Sequence, residues 1–110
     1  MSVVKKIGVP ALLEQTAEEC CELAHACLKM ARKLRDENPT PKSVEDIRDE
    51  LVEEMADVNV CLKMIKWHTD ITNVRDQWLL ENRKEHRWYE RLDLHMDLKE
   101  IEEDDVVYSD

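Results

Sequence analysis

The sequence has little of what breaks a helix. It contains one Gly and three Pro in 110 residues, so turns are few, and the abundance of Leu, Glu, Lys, Met and Ala points to an all-α chain. It also lacks basic excess: 16 Lys and Arg stand against 26 Asp and Glu, a formal charge of −10. A surface for nucleic acid needs the opposite balance, so no nucleic-acid partner is expected, whereas a phosphorylated ligand bridged by metal ions is compatible with it. No uninterrupted apolar stretch is long enough to span a bilayer, and no charged-then-apolar leader opens the chain. We expect a soluble, cytoplasmic protein with no membrane partner. The four cysteines, Cys20, Cys21, Cys27 and Cys61, form neither a C-x-x-C pair nor a disulfide framework. They read as buried small hydrophobes in a reducing compartment.

The length suits one domain, too small to bury all the apolar surface it carries, which predicts a homodimer or homotetramer. A helical pattern runs from about Pro10 to Asp36, with Pro10 tolerated in the first turn, and Asn38-Pro39-Thr40-Pro41 breaks it. Ser43 is a candidate N-cap, with Asp46 three residues on, for a second helix to about Lys66. This helix carries Ile47, Leu51, Met55, Val58, Leu62 and Ile65 on one side. Cap-type residues between Thr69 and Asn73 begin a third helix, bearing Val74, Trp78, Leu79, Trp88 and Leu92, to about Leu94. Residues 1–99 are expected to form a single helical domain, and residues 100–110 a solvated acidic tail without a specific role.

Two glutamates interrupt this patterning. At offsets of −7, +4, +7 and +11 from Glu19 stand Leu12, Leu23, Ala26 and Met30, all on one stripe of a helical wheel. The same offsets from Glu54 give Ile47, Val58, Cys61 and Ile65. Each glutamate comes directly after another acid, Glu18 or Glu53, and each has a third acid at +3, Glu22 or Asp57. If the two helices pack antiparallel across their short connection, Glu19 and Glu22 face Glu54 and Asp57 near mid-helix. Four carboxylates so placed repel one another unless a cation joins them. Oxygen-only ligation selects a hard ion, Mg²⁺ or Mn²⁺, over zinc. Acid pairs at helical spacing also arise on solvated faces of so acidic a chain. Two matched motifs inside apolar stripes favour the metal site.

The segments Glu18-Glu19-Cys20-Cys21-Glu22 and Glu54-Met55-Ala56-Asp57 resemble the E-E-x-x-E and E-x-x-D signature of the MazG-like nucleoside triphosphate pyrophosphatases, which include dCTP pyrophosphatases. Glu22-Leu23-Ala24 and Asp57-Val58 are similar to the residues at the end of each half of that signature, and the resemblance covers about residues 10 to 90. It implies a MazG-like helical bundle completed by homo-oligomerisation. It further implies Mg²⁺ on Glu19, Glu22, Glu54 and Asp57, and hydrolysis of a nucleoside or deoxynucleoside triphosphate to the monophosphate and pyrophosphate in a nucleotide-pool house-cleaning role. Glu18 or Glu53 would orient a ligand or act as general base. Asn82, Arg83, Lys84 and Arg87 are similar to the later-helix residues that touch phosphates and base, with Trp78 standing where the family carries a Lys.

Two readings compete. The first is a non-enzymatic acidic helical module that dimerises and binds a basic partner. The second takes Glu22-x-x-His25 as half of a di-iron ligand set, which needs a second copy that Glu54-x-x-Asp57 does not supply. Trp67, Trp78, Trp88 and Tyr89 read as core or subunit-interface residues, and His68, His86 and His95 as surface residues.

Overall fold

The computed structural model describes residues 2–37 and 41–92. Among these the chain is all-helical, with four helices in the order α1 (Val3–Ile7), α2 (Val9–Leu34), α3 (Val44–His68) and α4 (Val74–Arg91). The short α1 was not expected from the sequence. It forms because Ser2 caps it, its hydroxyl accepting from the Lys5 amide at 3.1 Å, and because nothing breaks the chain before Gly8. Gly8, at φ +87, occupies backbone space that side chains disfavour. It ends α1 and sits at the N-cap of α2, whose first turn accepts Pro10.

α2 ends at Leu34, two residues before the expected boundary. The next residues close it with a two-bond C-terminal motif: the Glu37 amide donates to the Arg32 carbonyl and the Asp36 amide to the Lys33 carbonyl. Asp36 takes the left-handed conformation, at φ 56. Ser43 caps α3, its hydroxyl accepting from the Asp46 amide, and Asn73 caps α4 through the Asp76 amide. Glu45 and Asp46 in the first turn of α3, with Lys66 and His68 in its last, complement the helix dipole.

α2 and α3 pack against each other. Their contact row on α2 repeats every three or four residues through Leu12, Thr16, Glu19, Leu23, Ala26 and Met30. Leu12 and Ala26 are buried, and Leu23 and Met30 half-buried. The facing row on α3 runs Ile47, Leu51, Glu54, Val58, Cys61 and Ile65, four of them buried. Met55, expected on this side, is 49 % exposed. It lies one residue, about 100° of helix, beyond Glu54, and the inward position belongs to the acid. The cysteines also differ from expectation: all four are free thiols, but only Cys61 is buried, while Cys20, Cys21 and Cys27 are exposed. Cys20 and Cys27 occupy the row of α2 beside the one that meets α3.

The chain divides into two compact units, Met1–Thr72 and Asn73–Asp110. The second is described over residues 73–92, and residues 100–110, expected as an acidic tail, lie outside the described residues. No residue of α4 is buried. Trp67, Trp78 and Trp88 are exposed, so none of the three is a core residue, and Tyr89 is half-buried. No described helix is long and apolar enough to cross a membrane.

Candidate metal centre

Glu19 and Glu54 occupy inward positions of the two facing rows, so packing α2 on α3 pushes their carboxylates together. Glu22 and Asp57, each three residues further on, stand on the adjoining faces. One carboxylate oxygen from each of Glu19, Glu22, Glu54 and Asp57 lies within 4.8 Å of all the others. Glu19 and Glu54 are half-buried, Glu22 and Asp57 exposed. The cluster is therefore closed at the bottom by the core rows and open at the solvent edge.

Its electrostatics are unfavourable for the bare chain. The Glu19 Oε2 and Glu54 Oε2 atoms are shielded from solvent, and neither has a hydrogen-bond partner. Among the described residues none of the four acids forms an ion pair with Lys or Arg. Loss of solvent holds both carboxyls above the ordinary value. For Glu19, Glu22 and Asp57 add to the rise, against a Gln15 amide that donates to its Oε1 at 2.8 Å. For Glu54, Glu22, Asp57 and Glu19 add to it. Orphaned buried oxygens are rare and call for an explanation. Four oxygen donors with spare lone pairs and a solvent-open side fit a hard divalent cation that keeps part of its water shell.

An open groove of about 560 Å³ runs from this cluster along α2, lined by Cys21, Glu22, His25, Ala26, Lys29, Glu50 and Glu54. At its far end Lys29 Nζ lies 3.2 Å from Glu50 Oε2, and Lys42 Nζ pairs with Glu50 Oε1. These two cations hold the Glu50 carboxyl below its ordinary value. The pairing comes from register. Lys29 stands seven residues after Glu22 and Glu50 seven before Asp57, so the antiparallel alignment that joins the acids also joins this pair. Lys29 and Glu50 were not among the residues expected from the sequence, although the same register contains them.

Glu18 and Glu53 precede the inward glutamates by one residue and are exposed. Asn82, Arg83, Lys84 and Arg87 belong to α4, in the second unit. The Asn82 amide donates to the Trp78 carbonyl at 3.1 Å, while Arg83, Lys84 and Arg87 are exposed. His25 lines the groove but is not among the clustered ligands. His68 and His86 are exposed, and His95 lies outside the described residues. Compared with known proteins, the chain matches no family model, no curated protein and no solved structure.

Proposed function

We propose that the chain is a Mg²⁺-dependent nucleoside triphosphate pyrophosphohydrolase of the MazG-like kind, converting a nucleoside or deoxynucleoside triphosphate to the monophosphate and pyrophosphate. The observation that carries this reading is the meeting of Glu19, Glu22, Glu54 and Asp57 with two shielded, unpartnered oxygens among them. Such an arrangement is costly for a bare chain and suited to a cation. Mn²⁺ offers the same donor preference.

Glu19 and Glu54, anchored in the contact rows, would fix the ion's depth, while Glu22 and Asp57 would hold its solvent side and leave room for water and phosphate oxygens. Bound there, the ion supplies charge neutralisation on the reacting phosphate and lowers the pKa of a coordinated water. Glu18 or Glu53, each next to a ligand residue and open to solvent, would accept the proton of the attacking water. Arg83, Lys84 and Arg87 would neutralise the phosphate chain, with Asn82 reaching its end or the base. Trp78 leaves these three cations to do what a Lys does in the family. A house-cleaning role in the nucleotide pool of the cytoplasm, by a homodimer or homotetramer, completes the proposal.

The test is release of pyrophosphate and monophosphate from a panel of canonical and modified triphosphates, with Mg²⁺ and with chelator. Metal-dependent release from any member supports the reading. Silence across the panel from folded protein overturns it in favour of the acidic binding module.

A further inference from the structure

α2 carries a second apolar row, one residue on from the row that meets α3. It opens with Leu13 and closes with Leu34, and Ala17, Cys20, Ala24, Cys27 and Ala31 fall between them in unbroken steps of four and three. That spacing is the seam of a two-helix coiled coil. Every member is exposed except the half-covered Ala31, with Leu13 at 44 % and Leu34 at 70 %. The small central side chains let a second helix approach closely, and the leucines at the ends give it apolar surface to cover.

The adjoining exposed row decides what that helix is. It begins with two acids, Glu14 and Glu18, and ends with two bases, Arg32 and Arg35. None of the four forms an ion pair among the described residues. In a parallel copy this row would lie beside the partner's uncharged Thr16, Leu23 and Met30, and its charges would meet no counter-charge. An antiparallel copy sets Glu14 and Glu18 opposite Arg32 and Arg35 of its partner at both ends, as a two-fold axis near mid-helix requires.

We infer that this face of α2 is the contact between two copies of the chain, packed antiparallel about a two-fold axis near Ala24. The inference specifies the oligomer in the proposed function but does not depend on its nucleotide chemistry. Triphosphate hydrolysis by a chain that stays monomeric would sink the interface and leave the enzyme reading intact.

Sedimentation of the full-length protein tests it. The wild type should be a dimer. E14R/E18R makes both ends of the seam basic, R32E/R35E makes both acidic, and each should weaken dimerisation by about tenfold or more. An equimolar mixture of the two variants should restore a dimer containing one of each. Circular dichroism of each variant separates lost association from lost folding. In an equimolar mixture of isotope-labelled and unlabelled wild type, a short thiol cross-linker should join Cys20 of one copy to Cys27 of the other. A monomeric wild type, charge variants that dimerise as well as the parent, or links between equivalent cysteines would each overturn the inference.

Discussion

Removing one charge from the carboxylate cluster is the sharpest intervention available in a single side chain. Glu54→Gln keeps the shape of a residue whose Oε2 has no partner and whose neighbours are Glu19, Glu22 and Asp57. Metal affinity should fall by at least the roughly 10–100-fold that loss of an outer partner of a metal ligand costs. Turnover should vanish, while the metal-free variant should melt at a higher temperature than wild type; a lower melting temperature would show that the cluster is not strained. The pH dependence carries a definite sign. The carboxyls of Glu19 and Glu54 sit above the ordinary 4.5, so the folded chain holds protons that the unfolded chain has already lost. Their contribution to stability therefore declines as pH rises through the interval above 4.5. Glu50, held low by Lys42 and Lys29, contributes stability that is present above the ordinary value and lost on acidification through its folded value. Urea midpoints of chelator-treated protein should show a weaker decline above pH 4.5 in Glu54→Gln than in wild type. The two inward glutamates were legible in the sequence because an acid inside an apolar row is visible without coordinates. The Lys29–Glu50 pair was not, because nothing in either residue's own neighbourhood marks it until the register between helices is fixed.

For the helices taken as elements, the ends are the informative places. Ser43 and its acceptance from the Asp46 amide were readable from local chemistry alone, and so was the start of α4 at Asn73. Ser43→Ala should cost about 1 kcal/mol by loss of that cap, measured by urea denaturation. Asp36 tests the opposite end of α2. It closes the helix in a left-handed conformation that glycine adopts without penalty, so Asp36→Gly should stabilise the protein by up to about 1 kcal/mol. An unchanged or lower urea midpoint would contradict that geometry. The faces of the helices were only half legible. Periodicity identifies apolar rows, but α2 has two of them side by side, and only packing against α3 decides which is covered. For the same reason Cys20 and Cys27 were misread as buried, and Met55 as part of the core face. The short α1 escaped notice because five residues give too little pattern to read.

In the molecule as a whole, a cation held by the cluster would tie metal binding to folding. A ligand that binds only the folded chain stabilises it by about 2.7 kcal/mol at a hundred times its dissociation constant. Saturating Mg²⁺ should therefore raise the melting temperature of wild type and leave that of Glu54→Gln nearly unchanged. An acidic module without a cation site would respond weakly and alike in both. The division at Thr72 has a separate consequence for how such a protein changes over time. All four clustered acids and the groove lie before it, and all four candidates for phosphate and base recognition lie after it. Under the proposed reading, the hydrolytic apparatus and the choice of nucleotide are written in different stretches of the gene. Drift or recombination downstream of Thr72 could then retune selectivity while inheriting the chemistry intact.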